Sequence, residues 1–554
     1  MLALLLLSLG VTEAHGAALT TPDWSENAVI PVTGRANPYG FAEPELSERI
    51  TRGKIHAQVY PVEVSAALVP YRPVWQLAQG NPTDFLQTLA QAAFRTATGW
   101  KDFDAAMDWL GLHPYPAASD SGIYQVPHPD GELPDRMGMG FITRAGVKGF
   151  TFSCAACHSA RLFGKTVLGM TNRFPHANDF FVRGKEAMSS ASADTFADAT
   201  GATTAEKASY EALREAMNSV EAKKPVVDGL DTSLAQVALS LAHRAQDAYA
   251  SIDPSIAEQP REEMLKDFVA DSKPAVWWNL KYKTRWLSDG SVVSGNPLFT
   301  NLLWNEIGRG TDLHELETWL GDNEDVIEDL TTAVFSTEAP KFTDFFPAER
   351  IDLASAKRGQ ALFSQHCAEC HGHYLKAWDL PQAASLSLAQ QLETTEVHYQ
   401  SRTRAVDVGT DPQRAQAMVS LARGLNPLAI SAANGILIEP GRGYVPPPLV
   451  GIWARWPYFH NNSAPSLCAV LTRADQRPTS YVAGEAEDPA KDFDRRCNGY
   501  PEPESAPAQW TIRYDLTQPG LKPTGHDDGI LSIGGKDIFS PTDKEDLIHF
   551  LQTL

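Results

Sequence analysis

Two stretches decide how this chain is read: Gly149-Phe-Thr-Phe-Ser-Cys154-Ala-Ala-Cys157-His158 and Ala356-Lys-Arg-Gly359-Gln-Ala-Leu362-Phe363-Ser-Gln-His366-Cys367-Ala-Glu-Cys370-His371. Each ends in Cys-x-x-Cys-His. With 6 Cys and 15 His in 554 residues, composition yields about 0.002 such units by chance, and two are present. The spacing has a chemical reason. Two thiols three positions apart reach the two vinyl groups of one porphyrin, and the adjacent imidazole then falls beneath the iron as proximal ligand. A structural zinc site would more naturally join the two Cys pairs as four ligands, leaving the following histidines without a purpose. A thioredoxin-like redox pair would sit in a βαβ setting, which the sequence lacks. The expectation is two covalently bound haem c groups, held by Cys154, Cys157 and His158 and by Cys367, Cys370 and His371.

The surroundings of the two units differ. Residues 356–363 read as a helix whose apolar side leads into Cys367, whereas the aromatic and β-branched residues before Cys154 predict an extended entry. The two haem domains need not be similar copies. Upstream, residues 17–149 are rich in Pro and Gly, with helical patterns near 83–98 and 103–110 and no run of alternating strands. An Ala-, Glu- and Lys-rich stretch over 185–271 predicts several helices, and a further helix is expected over 312–335. A linker holding Pro340, Phe346 and Pro347 places a boundary near residue 345. At the end, Ser540-Pro541-Thr542-Asp543 supplies an N-cap, a first-turn proline and an acidic third residue for a closing helix. The fold class expected is mainly α: two cytochrome c-like haem domains, residues 17–344 with a helical insertion and residues 345–554, with long irregular loops and extra helices.

The apolar run at residues 1–10, followed by Ala14-His15-Gly16, predicts a signal peptide over residues 1–16, although no Lys or Arg precedes the run. No later stretch approaches the roughly 20 apolar residues of a membrane helix, so a soluble periplasmic or secreted protein is expected. A formal charge of −21 excludes nucleic acid and anionic membrane surfaces as natural partners and favours a basic electron donor or acceptor. Cys468 and Cys497 remain once the two motifs are set aside; in an oxidising compartment they are expected to pair.

Each motif supplies one axial ligand, so the sixth position of each iron separates electron transfer from reaction with a small molecule. Here a family resemblance becomes specific. Gly443-Tyr-Val-Pro-Pro-Pro-Leu-Val-Gly451-Ile-Trp453-Ala-Arg-Trp-Pro457-Tyr458-Phe-His460-Asn-Asn-Ser463-Ala-Pro465-Ser-Leu467 resembles the segment around Ala-Pro-Tyr-x-His-x-Gly-Ser of dihaem cytochrome c peroxidases and MauG-type enzymes, and most closely that of rubber-oxygenase-like dihaem cytochromes. Lys273-Pro274, Trp277-Trp278, Lys281-Tyr-Lys283, Asp289-Gly290 and Gly525-His526 extend the likeness across most of residues 130–554. Trp456 and Asn462 depart from the small residue and the glycine usual in that pattern.

The resemblance implies that His526 is the distal ligand of the second haem, closing it for electron transfer. It implies a first haem open to dioxygen or peroxide, with Trp277 or Trp278 as a relay between the haems. Without the resemblance, paired Trp reads as buried core. His176, 18 residues after His158, is a candidate distal ligand of the first haem, and His460 is expected to pack near the second. The implied activity is that of a haem-dependent oxidoreductase, peroxidase or dioxygenase-like, with oxidative cleavage of an apolar substrate such as polyisoprene as one outcome. No acid-base pair stands out near Cys154, which favours oxygenase over peroxidase chemistry. The alternative is an electron carrier with both irons six-coordinate, the outcome expected if His176 binds the first iron.

Overall fold

The computed structural model describes residues 21–117, 120–128, 136–252 and 265–554; the expected signal peptide lies outside them. Helices dominate, and the strands are short: the largest sheet has three antiparallel strands in the order Val69–Pro70, Val147–Phe152, Met139–Arg144. The remaining sheets are two-stranded, among them the hairpin Ser159–Leu162 with Lys165–Leu168 directly after the first motif. Among the described residues, no helix is long and apolar enough to cross a membrane.

Two helix crossings of the same design anchor the two halves. Helix Glu45–Val59 packs on Glu324–Phe335, and helix Leu353–His366 packs on the closing helix Pro541–Leu551. A glycine sits at each contact. A Cβ on Gly53 would lie 2.0 Å from the Asp329 carbonyl, and one on Gly359 would lie 2.0 Å from the Asp546 carbonyl. The arginine before each glycine grips the same aspartate: Arg52 Nε reaches Asp329 Oδ2 at 2.7 Å, and Arg358 Nε reaches Asp546 Oδ2 at 2.8 Å. Both aspartates are buried, so each guanidinium cancels a carboxylate that would otherwise be costly to remove from water.

Before residue 149, where the sequence predicts no run of strands, Met139–Arg144 pairs with Val147–Phe152 as a hairpin, and helix Glu45–Val59 adds to the expected helices. Its buried residues are Gly53, Ala57 and Gln58, so close approach and ion pairing hold it, and no apolar stripe announces it. The expected helices near 83–98 and 103–110 are present as Phe85–Thr98 and Phe103–Trp109, each capped by the aspartate before it. The single helix expected over 312–335 is two helices, Leu313–Asp322 and Glu324–Phe335, because Asn323 leaves helical geometry at ψ 38°. The closing helix begins at Pro541 with Ser540 and Asp543 capping each other's backbone N–H groups. The Cys468–Cys497 disulfide is formed, closing 29 residues of sequence separation.

Packing crosses residue 345 in both directions. Met418, Leu421 and Ile438 join the apolar core built on Trp286, Leu303 and Phe335, while Leu162, Val167 and Met170 join the core of Trp453, Trp456 and Phe550. Trp277 belongs to the first core and Trp278 to the second, so this dipeptide is a seam between them.

Replacing Gly53 or Gly359 by Val should lower stability by about 3 kcal/mol or more, because backbone on the partner helix leaves no room for a side chain. Gly321→Ala, in a helix with nothing near its Cβ position, should be neutral or gain up to about 1 kcal/mol. Denaturant unfolding of the three variants checks both statements.

Candidate functional site

Both motifs open on one cavity of about 520 Å³, lined by Cys154, Cys157, His158, Cys367, Cys370, His371 and His526. Strand Val147–Phe152 delivers the first motif, which turns through Cys154–Ala156 so that the His158 N–H bonds to the Cys154 carbonyl at 3.0 Å. Asn172 fastens that turn, its Nδ2 donating to the carbonyls of Ala156 at 2.7 Å and Gly111 at 2.8 Å. Helix Leu353–His366 delivers the second motif, and Gly372 lets the chain turn away at φ 82°, where a Cβ would meet the His398 carbonyl at 2.6 Å.

The two histidines are oriented alike. His158 Nδ1 lies 2.9 Å from the Ala275 carbonyl and His371 Nδ1 lies 2.8 Å from the Pro447 carbonyl. A carbonyl can only accept, so each Nδ1 carries the proton and each Nε2 is left with its lone pair free, the tautomer a metal ligand needs. Burial pushes the His158 imidazole down to about 4 and lowers that of His371, keeping both neutral. Burial also pushes the Cys154 and Cys367 thiols up, to about 11 and about 12, so as free thiols they are protonated and poorly nucleophilic.

Their surroundings across the cavity differ. The rings of His371 and His526 are 6.1 Å apart centre to centre with planes 16° from parallel. A metal–imidazole bond of about 2 Å, plus roughly 1 Å from nitrogen to ring centre, places two rings on opposite sides of one ion about 6 Å apart. The pair therefore fits one iron between them. His526 is held at φ 49° with its backbone N–H on the Val408 carbonyl at 3.1 Å, and the Phe459 ring stacks with it at 5.4 Å. Burial first, and His371 second, push its imidazole down to about 3. His158, in contrast, meets one aromatic ring among the described residues, Trp277 at 5.7 Å, and no imidazole.

His176 is not brought to this site. It lies outside the cavity wall, stacked on Trp109 at 5.0 Å, with Nε2 facing Asp228 at 3.8 Å. His460 does line the cavity, stacked on Tyr444 at 4.1 Å, and His366, expected only to flank its motif, reaches the wall as well. Trp277 and Trp278 stand behind the wall. Trp278 Nε1 donates to the Val450 carbonyl at 2.9 Å and Asn279 Nδ2 to the Pro448 carbonyl at 3.0 Å, so the segment that orients His158 is bonded to the segment that orients His371.

A buried polar group at the Cys154 end went unread in the sequence. Tyr60 donates to Glu306, which also accepts from Thr311 Oγ1 at 2.5 Å. The Arg309 guanidinium lies 3.9 Å from the Tyr60 ring centre and donates to the Phe152 carbonyl at 2.9 Å. Its members are spread over residues 60–311, and only the Glu306-x-x-Arg309 spacing was available as a signal.

Residues 443–482 match the family described as RoxA-like, cytochrome c-like. An uncharacterised protein of Sinorhizobium fredii, y4iJ, is 24% identical over 85% of this chain and 88% of its own length. A second uncharacterised protein of that organism, y4iM, is 30% identical over 37% of this chain and 49% of its own length. The cytochrome c-like match implies covalently bound haem c and supports a cytochrome-type haem oxidoreductase of rubber-oxygenase-like kind. The cavity chemistry fits that group: neutral, pre-turned imidazoles stand beside paired thiols.

Tyr60→Phe should cost about 1–3 kcal/mol, since Glu306 loses a donor inside the protein. Glu306→Leu should cost about 3–5 kcal/mol by stranding Arg309. Unfolding curves of the haem-loaded chain test both, and an unchanged Tyr60→Phe midpoint would refute the bond.

Proposed function

We propose that this chain is an exported dihaem c-type cytochrome oxidoreductase that reacts dioxygen or peroxide at the first motif and moves electrons through the second. The observation that carries the reading is the asymmetry of the two histidines: His371 faces His526, and His158 faces no second imidazole among the described residues. When bound, haem c supplies one-electron redox chemistry and, where a coordination position is open, the binding and reduction of dioxygen or peroxide.

The chain's own residues divide the work. Cys154 and Cys157, and Cys367 and Cys370, would hold the two groups by thioether bonds, with His158 and His371 as proximal ligands. His526 would fill the remaining position opposite His371 and keep substrate from it. Trp277, against His158, and Trp278, bonded to the segment that orients His371, lie between the two orienting segments and are the candidate relay. Phe152, Phe181, Leu234, Val237 and Trp304 make much of the cavity wall apolar. That wall suits an apolar substrate, and oxidative cleavage of one such as polyisoprene is the finer reading the likeness favours. A carrier with both irons six-coordinate would gain from His176 on the first iron, and the stacking of that ring on Trp109 favours the enzyme.

The Cys468–Cys497 disulfide supports an oxidising compartment, periplasmic or extracellular. A charge of −21 favours a basic redox partner.

Haem content should be two per chain, falling to one in Cys154→Ser/Cys157→Ser. Carbon monoxide or cyanide should perturb one haem. In His526→Ala the second haem should become high-spin and bind cyanide. A single haem in the unaltered chain, or an unchanged low-spin spectrum in His526→Ala, would overturn these assignments.

A further inference from the structure

The cavity wall carries five cationic side chains, Lys273, Lys283, Arg309, Arg414 and Arg455, and one carboxylate, Asp231, in a chain whose net charge is −21. Glu306, just behind the wall, lies 3.8 Å from Arg309 Nε. The other four have no carboxylate within 4 Å among the described residues. Lys273 Nζ is satisfied by carbonyls alone, Pro457 at 2.5 Å and Arg455 at 3.3 Å. Arg455 has the Pro448 carbonyl at 3.2 Å, and Arg414 has the Ala270 carbonyl at 2.6 Å with its buried Nε unpartnered. Asp231 on the wall and Asp289 outside it both stand near Arg414, and neither pairs with Lys273, Lys283 or Arg455.

Burial first, and then the charges of Arg455 and Arg173, hold the Lys273 ammonium well below its usual range, and burial followed by Arg455 pushes that of Lys283 down to about 8. Like charges gathered in a buried place repel and are poorly solvated, so the cluster is incomplete without an anion. Guanidinium and ammonium donors side by side suit carboxylates. Its place is specific as well. Lys273 is two residues before Ala275, which orients His158, and Arg455 donates to the carbonyl of Pro448, next to Pro447, which orients His371.

We propose that Lys273, Lys283 and Arg455, backed by Arg414 and His460, form one shared carboxylate site that takes propionate groups of the haems at both motifs. This rests on the dihaem reading above. Its consequence is electrostatic. A cation near either iron opposes the extra positive charge of the oxidised state, so a shared cluster raises both midpoint potentials together.

The test is a redox titration of haem-loaded Lys283→Met beside Lys283→Arg and the unaltered chain, with haem content measured on each. Two haems retained, both potentials shifted downward in Lys283→Met and both restored in Lys283→Arg is the expected result. No shift, or a shift at one haem alone, overturns the shared site. A shift that added acetate reproduces in the unaltered chain assigns the cluster to a free carboxylate and also overturns it. Should Lys283→Met not fold, redox-induced infrared difference spectra of the unaltered protein with ¹³C-labelled propionates decide: ionised, perturbed carboxylate bands at both reduction steps are expected, and bands at one step alone refute sharing. Fewer than two haems in the unaltered chain would sink the dihaem reading instead, a separate outcome.

Discussion

Two hydrogen bonds set the chemistry of this cavity: His158 Nδ1–H to the Ala275 carbonyl and His371 Nδ1–H to the Pro447 carbonyl. Each fixes which imidazole nitrogen faces inward, and each ends on a loop that is bonded to the other through Trp278 and Asn279. Neither histidine can therefore be re-aimed without disturbing the segment that aims its counterpart. The interleaved cores follow the same logic, because a seam that carries both acceptor carbonyls must be packed from both sides to hold them still. The segments that hold the ligands in place are as much a part of the site as the ligands.

What the sequence made legible was chemistry with fixed spacing. The two Cys-x-x-Cys-His units, the Ser540 capping box and the helix before Cys367 depend on residues a few positions apart, and the structure has these local forms. The pairing of Cys468 with Cys497 was reachable by elimination. Helix Glu45–Val59 was not, because its contact is made by Gly53 and an arginine–aspartate pair spanning 277 residues of separation, neither of which leaves an apolar period. His176 is the opposite case: its spacing from His158 is suggestive, while its ring stacks on Trp109, a partner distant in sequence.

The cationic lining was illegible on different grounds. Composition describes an acidic chain, and an acidic chain ordinarily spreads its basic residues in surface pairs, as Lys341 with Glu393 or Lys491 with Asp488. Lys273, Lys283, Arg414 and Arg455 are spread over residues 273–455, and only the fold collects them on one wall. Net charge and local charge thus have opposite signs, so the surface and the cavity select different partners.

The duplicated helix crossing sharpens the contrast between the halves. Arg52-Gly53 on Asp329 and Arg358-Gly359 on Asp546 repeat one another down to the carbonyl each glycine touches, so the scaffolds are held by the same forces. What differs lies in the loops. The second half places Gly525-His526 across from His371, with Gly525 packed so closely on Thr410 that a side chain there would meet its Oγ1 at 2.8 Å. The first half places Leu234, Val237 and Phe181 in the wall that His158 shares and offers it no imidazole among the described residues. A common crossing with unlike loops lets His371 face a rigid imidazole while His158 shares an apolar wall, without altering the frame that carries both.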